Sequence, residues 1–237
     1  MVLWNIDLTL LDVARVTRAA YADAFGKVTG RPLVKLPPMA GRTESEIFFE
    51  ALALNASPAA GLAGEELLGR FAGQLAEAFR ARRGLLTEQG RLLPGAREAV
   101  AEVSRLPGVV QTVLTGGIKP TAVEKLRAFG IDRYFDTGIG GYGSEVYPKG
   151  AMLLRARSRA AEKYGVEFGE SATVYIADST RDMEAARFGG ARSVAVASGR
   201  SSEAELRDAG ADAVLPGLSD LAALLQVIDR LAPVARP

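Results

Sequence analysis

MVLWNIDLTLLD, residues 1–12, decides how the rest of this chain is read. The apolar run from Val2 to Ile6 is nearly continuous rather than alternating, which is the character of a strand buried on both faces of a parallel sheet. It delivers two polar side chains spaced two apart, Asn5 and Asp7, and ends in Thr9. In open α/β sheets ligands bind outside the carboxyl ends of the strands, so polar residues at that point are candidates for chemistry.

Runs of the same kind recur at VVQTVLT (109–115), YFDTGIG (134–140), TVYIAD (173–178), SVAVAS (193–198) and DAVL (212–215). Between them lie stretches with helical periodicity: PGAREAVAEVSRL (94–106), PTAVEKLRAFG (120–130), GAMLLRARSRAAEKYG (150–165) and DMEAARFGG (182–190). Strand alternating with helix predicts an α/β fold with a doubly wound, Rossmann-like parallel sheet. Residues 14–90 read differently. VARVTRAAYADAFGKVTG, TESEIFFEALALN and GEELLGRFAGQLAEAFRARRG are helical, with breaks at RPLVKLPPMAG and NASPAAG. The expected organisation is therefore a core of residues 1–13 plus 91–237, with an α-helical insertion over 14–90. SGRSSEAE (198–205) reads as a polar loop leading into a helix.

Composition narrows the chemistry. The 237 residues hold 29 Lys plus Arg against 28 Asp plus Glu, a net charge of +1, which gives no reason to expect nucleic acid or an anionic membrane as partner. Small molecules are the expected ligands. Cysteine and histidine are both absent, which removes disulfides, thiolate metal sites, cysteine nucleophiles, histidine bases and imidazole-bound zinc. What remains is carboxylates, lysine, hydroxyls and an oxygen-bound metal. The N-terminus has no signal-peptide pattern and no apolar run reaches the roughly 18 residues of a membrane span, so a cytoplasmic protein is expected.

Four expected strand ends carry polar groups: Asn5 and Asp7, then Thr115-Gly116-Gly117, then Lys149 in a loop, then Asp178 and Asp182. Singly, each has a plainer reading. Thr115 before two glycines starts a turn, Lys149 is a solvated loop lysine, and Asp178 caps a helix. Four in order along one chain point to a site.

At these residues the chain resembles the haloacid dehalogenase superfamily, in its phosphatase-like branch with a helical cap. NIDLT matches the family's first motif at Asp7 and Thr9, with Asn5 where the first aspartate belongs. VLTGG matches the second at Thr115, YPKGA supplies the third-motif lysine as Lys149, and ADSTRD matches the acidic fourth at Asp178 and Asp182. Lys119 and Lys125 are the alternatives for the lysine. The resemblance extends over nearly the whole chain, through LLPGAREAV, KLRAFGIDRYFD and GRT (41–43), and makes the 14–90 insertion a cap.

The resemblance implies an Mg²⁺-dependent phosphatase acting on a small phosphorylated metabolite through an aspartyl-phosphate. A dianionic phosphate ester is attacked by a carboxylate only when cations and hydrogen-bond donors offset the repulsion. Asp178, Asp182, Asn5 and the Asp7 backbone carbonyl would hold the Mg²⁺, an all-oxygen set. Thr115, Gly116, Gly117 and Lys149 would grip the phosphoryl oxygens, Asp7 would serve as acid and base, and Arg42 would reach the substrate from the cap. The nucleophile's own position holds Asn5, whose neutral amide forms no ordinary acyl phosphate. Two readings follow: an impaired phosphatase, or a catalytically inactive protein that binds a phosphometabolite on the same scaffold. Dehalogenation fits less well, because it too needs the aspartate.

Overall fold

The computed structural model describes residues 1–55, 64–144 and 148–233; most of the NASPAAG break lies outside them. Six strands form one parallel sheet: β1 (Val2–Trp4), β4 (Gln111–Thr115), β5 (Gly141–Tyr142), β6 (Val174–Ala177), β7 (Arg192–Val196) and β8 (Ala213–Leu215). Their order is β5-β4-β1-β6-β7-β8. The sheet therefore grows in both directions from β1, whose Trp4 pairs with Val113 on one side and Ile176 on the other. Such a reversal of strand order opens a crevice at the carboxyl end of the central strands. The doubly wound α/β fold expected from the sequence is what forms.

The strands are short and almost wholly buried, which is why their sequences are continuous runs of Val, Ile, Leu and Ala. One polar interaction is sealed inside: the Trp4 indole Nε1 donates to Gln111 Oε1 at 2.9 Å, and Gln111 Nε2 donates to the Val100 carbonyl. Against the sheet pack α5 (Ala96–Val103), α6 (Lys119–Ala128), α7 (Lys149–Tyr164), α8 (Thr180–Gly189), α9 (Glu203–Asp208) and α10 (Leu221–Leu231). The polar loop at 198–205 does lead into α9, through a capping box in which Ser202 and Glu205 bond each other's backbone N–H groups.

One expected strand is misplaced. Residues 134–140 are not a strand; the chain makes a single 3₁₀ turn at Asp132–Tyr134 and a glycine-containing turn before pairing at Gly141–Tyr142. The physical reason lies in Asp136. Its backbone N–H and carbonyl are taken by the Gln111 carbonyl and the Thr112 hydroxyl, while its carboxylate accepts from the Gly138 N–H and folds the chain back on itself.

Between the first strand and the rest of the sheet lie α1 (Ala14–Thr29), α2 (Glu44–Leu54), α3 (Gly64–Ala81) and α4 (Arg83–Gln89). A two-stranded antiparallel ribbon brackets them. Its strands are β2 (Leu11–Asp12) and β3 (Arg91–Leu92), too short to leave a period in the sequence. The helices bury an aromatic cluster of their own, with Phe48 stacked on Phe71 at 4.2 Å between ring centres and Tyr21 tilted against Phe71 at 4.8 Å. Among the described residues no helix is long and apolar enough to cross a membrane.

Candidate functional site

The turn after β1 begins the site. Asn5 still extends the ladder, donating its N–H to the Ile176 carbonyl, and the chain then folds so that the N–H groups of Leu10 and Leu11 both point at the Ile6 carbonyl. Leu8 sits at φ +61, a conformation that costs a residue with a Cβ on the order of 1 kcal/mol. The strained turn brings the Asp7 carbonyl within 2.9 Å of the Asn5 side-chain nitrogen.

Asn5 is 6% exposed and its amide is fully engaged. Nδ2 donates to the Asp7 carbonyl, to Thr9 Oγ1 at 3.2 Å and to Asp178 Oδ1 at 2.9 Å, while Oδ1 accepts from Lys149 Nζ at 3.3 Å. This orientation is dictated by the neighbours. Turning the amide over would place its N–H₂ against the Lys149 ammonium and its oxygen against acceptor oxygens.

Asp178, at the end of β6, is buried beneath Gly199, where a Cβ would come within 2.0 Å of Oδ2. Its Oδ1 also accepts from Thr9 Oγ1 at 2.8 Å. Burial, with Asp182 adding like charge, pushes its carboxyl up to about 6 against the pull of Thr9, Lys149 and Asn5. Asp182, in the first turn of α8, has no exposed surface. Its Oδ1 accepts from Lys149 Nζ at 2.6 Å and Tyr175 Oη at 2.8 Å, and its Oδ2 from Ser179 Oγ at 2.5 Å.

The structure separates the three lysines. Lys149, at the start of α7, reaches Asn5 and Asp182. Lys125, on α6 and 4% exposed, instead clasps both oxygens of Asp7 at 2.8 and 2.7 Å. Lys119 lies over the Tyr142 ring. Thr115 ends β4, and its hydroxyl accepts from the Gly117 N–H at 3.2 Å. Gly116 lies under the 41–44 segment: the Glu44 N–H donates to its carbonyl at 2.8 Å, and a Cβ there would meet the Arg42 carbonyl at 1.8 Å.

Arg42 lines the same cavity, but its guanidinium is committed to Glu50 and to the carbonyls of Pro38 and Glu46. Its Nε stays buried without a partner. Glu44, the first residue of α2, is 4% exposed and faces Tyr21, Lys125 and Asp7. Burial above all, with Asp7 adding to it, pushes its carboxyl up to about 7 against the pull of Lys125 and Tyr21. Sequence reasoning did not single out Glu44, Tyr21, Tyr175 or Ser179. The one available signal is that Glu44 follows GRT at the start of a helical stretch, where an acid is ordinary. Asn5, Asp7, Thr115, Lys125, Lys149 and Asp178 line a cavity of about 300 Å³, with Tyr21 and Glu44 at its wall.

The oxygens that would face a divalent cation are partly in place, namely Asp178 Oδ1 and the Asp7 carbonyl. In this arrangement they do not fit one. Both are bonded by the Asn5 N–H₂ group, the two Asp182 oxygens are filled by donors, and among the described residues no cluster of three or more carboxylates could hold a metal. Admitting a cation beside Asn5 would require the amide to turn its nitrogen onto Lys149.

Residues 2–187 match the family of haloacid dehalogenase-like hydrolases. Among solved structures the chain is similar to a hydrolase from Pseudomonas syringae (24% identity, TM-score 0.66, 96% of this chain and 98% of that one). It is also similar to a predicted phosphatase from Clostridium acetobutylicum (18%, 0.68, 95% and 97%). A third is CbbY from Rhodobacter sphaeroides in complex with phosphate (20%, 0.63, 93% and 95%). Likeness at this identity speaks to the fold. Among curated proteins no sequence matches.

Proposed function

Because the chain belongs to the haloacid dehalogenase-like hydrolase family, we propose that its cavity binds a small phosphorylated metabolite by the phosphoryl group and holds it with little or no turnover. The observation that carries this is the Lys149–Asn5–Asp178 arrangement. The nucleophile's position is occupied by an amide whose two N–H groups are shared among three acceptor oxygens, while the groups that would grip a phosphate surround it. Thr115, the backbone at Gly116 and Gly117, and the Lys149 ammonium supply the donors, and Asp182 with Tyr175 aims the lysine. An amide in place of a carboxylate removes one negative charge beside the phosphate, which favours anion binding.

In this proposal residues 14–90 act as a cap over the core 1–13 plus 91–237, in the cytoplasm, and the β2/β3 ribbon is where the cap is attached. A second reading, slow hydrolysis of the Mg²⁺-dependent kind the family implies, is favoured by Asp7. Its side chain is 42% exposed at the cavity, where it could activate water. Calorimetric titration with orthophosphate and p-nitrophenyl phosphate, with and without Mg²⁺, tests both. Saturable metal-independent binding without p-nitrophenol release supports the binding reading; Mg²⁺-dependent release overturns it in favour of the second.

A further inference from the structure

We infer that Lys149 and Asn5 form a site of covalent self-modification, in which the lysine amine displaces ammonia from the asparagine amide and leaves an intramolecular isopeptide bond. The inference goes beyond the phosphate reading and does not depend on it. Lys149 Nζ stands 3.3 Å from Asn5 Oδ1, and the amide carbon is one C–O bond, about 1.2 Å, from that oxygen. The amine therefore lies no more than about 4.5 Å from the carbon it would attack, and both side chains are buried. A shift of about 1 Å brings the two into the range from which such reactions start.

A lysine amine becomes a nucleophile when a fixed group takes its proton, and an amide nitrogen leaves when a proton is delivered to it. Asp182, with no exposed surface, accepts from Lys149 Nζ at 2.6 Å and is fixed by Tyr175 Oη at 2.8 Å. Asp178 Oδ1 touches the leaving nitrogen, Nδ2, at 2.9 Å. The commoner asparagine side reaction, attack by the next backbone nitrogen, meets the fully buried and β-branched Ile6. The chain's other asparagine, Asn55, is a built-in comparison. Its Oδ1 accepts from the backbone N–H groups of Val34 and Lys35, and its Nδ2 donates to the carbonyls of Lys35 and Ala51.

The step balances within these groups. Nζ gives one proton to Asp182 Oδ1 and attacks the amide carbon, whose π electrons move onto Oδ1. As they return, the bond from that carbon to Nδ2 breaks. The second Nζ proton passes through Asp178 Oδ1 to Nδ2, which departs as ammonia. Nothing is oxidised or reduced, and the buried ion pair gives way to a neutral amide beside a protonated Asp182. The new bond ties the turn after β1 to the start of α7 across 144 positions, which restricts the unfolded chain. It also consumes the ammonium that a phosphate would need.

The test is intact-mass and tandem mass spectrometry of the purified full chain, held folded in neutral buffer and sampled over days. Beside it runs Lys149→Arg, which keeps the positive charge but has no proton to release. The unaltered chain should accumulate a species lighter than its sequence by one ammonia, whose digest holds a branched peptide joining Asn5 to Lys149. Lys149→Arg should keep the mass its sequence requires. The branched peptide is read on the unaltered chain, so the test stands even if Lys149→Arg folds poorly. The inference is overturned if the unaltered chain, still folded by circular dichroism, keeps its full mass. It is equally overturned if Asn5 gains the mass of an amide turned into an acid, the mark of hydrolysis by water, or if the ammonia is lost at Asn55 or to the same extent from Lys149→Arg.

Discussion

The Asn5 side-chain nitrogen lies 2.9 Å from Asp178 Oδ1, a residue 173 positions away, and equally close to the Asp7 carbonyl. One amide thus bonds the two oxygens that a cation would otherwise bring together. Asn5→Asp should reverse this. The introduced carboxylate has no N–H to give, so the oxygens around it repel until a cation is bound. Millimolar Mg²⁺ should leave the melting temperature of the unaltered protein in place and raise that of the variant.

Asn5→Asp should also supply the missing nucleophile. Hydrolysis of an aryl phosphate should rise by on the order of 10⁴ to 10⁶, the range lost when a covalent nucleophile is removed elsewhere. Adding Asp7→Asn should abolish most of the gain. A variant that stays inert on a broad panel of esters, while the unaltered chain binds one of them, would show that the surrounding groups are arranged for binding alone.

Lys149 and Asp182 form a buried ion pair, with side-chain exposures of 5% and 0%. Removing one partner strands the other's charge. Lys149→Met or Asp182→Leu alone should each cost about 3–5 kcal/mol in urea denaturation. The double variant should recover much of that stability and yet fail to bind orthophosphate, because stability asks only that the charges be matched whereas binding needs the ammonium.

Glu44 predicts a pH dependence. Its folded-state carboxyl is raised from the ordinary 4.5 to about 7, so between those values the folded protein holds a proton that the unfolded chain has lost. Stability therefore falls as pH rises through this window and levels off above it. The loss attributable to Glu44 amounts to about 3 kcal/mol. Lys125, Asp7 and Tyr21 face the group, and Asp178 titrates with the same sign, so the comparison must be with Glu44→Gln. Denaturation at pH 5 and pH 8 should show the unaltered protein losing most of that amount relative to the variant, since part of it is already lost by pH 5.

Gly116 and Gly143 mark where three backbone segments cross. A Cβ on Gly143 would fall 1.6 Å from the Gly116 carbonyl, and one on Gly116 would fall 1.8 Å from the Arg42 carbonyl. Gly116→Ala should cost about 3 kcal/mol by overpacking and should weaken phosphate binding as well, since it displaces the backbone after Thr115. Urea midpoints and orthophosphate titration of the same variant check both.

The sequence by itself determined the sheet and the strand-end residues, because both are local. A buried parallel strand must be continuously apolar, and its end must turn, so Val2–Trp4, Gln111–Thr115 and Val174–Ala177 were legible together with Asn5, Thr115 and Asp178 beside them. The strand expected at 134–140 failed because Asp136 closes a turn with partners on a different strand. Tertiary structure decided everything that depends on which side chains meet. Lys125 joins Asp7 across 118 positions, and Lys149 joins Asn5 across 144. Glu44 reads as an ordinary acid at a helix start until Tyr21 and Lys125 close around it and water is excluded. Residue identity sets what a group can do; burial and the neighbour that the fold brings alongside set what it does.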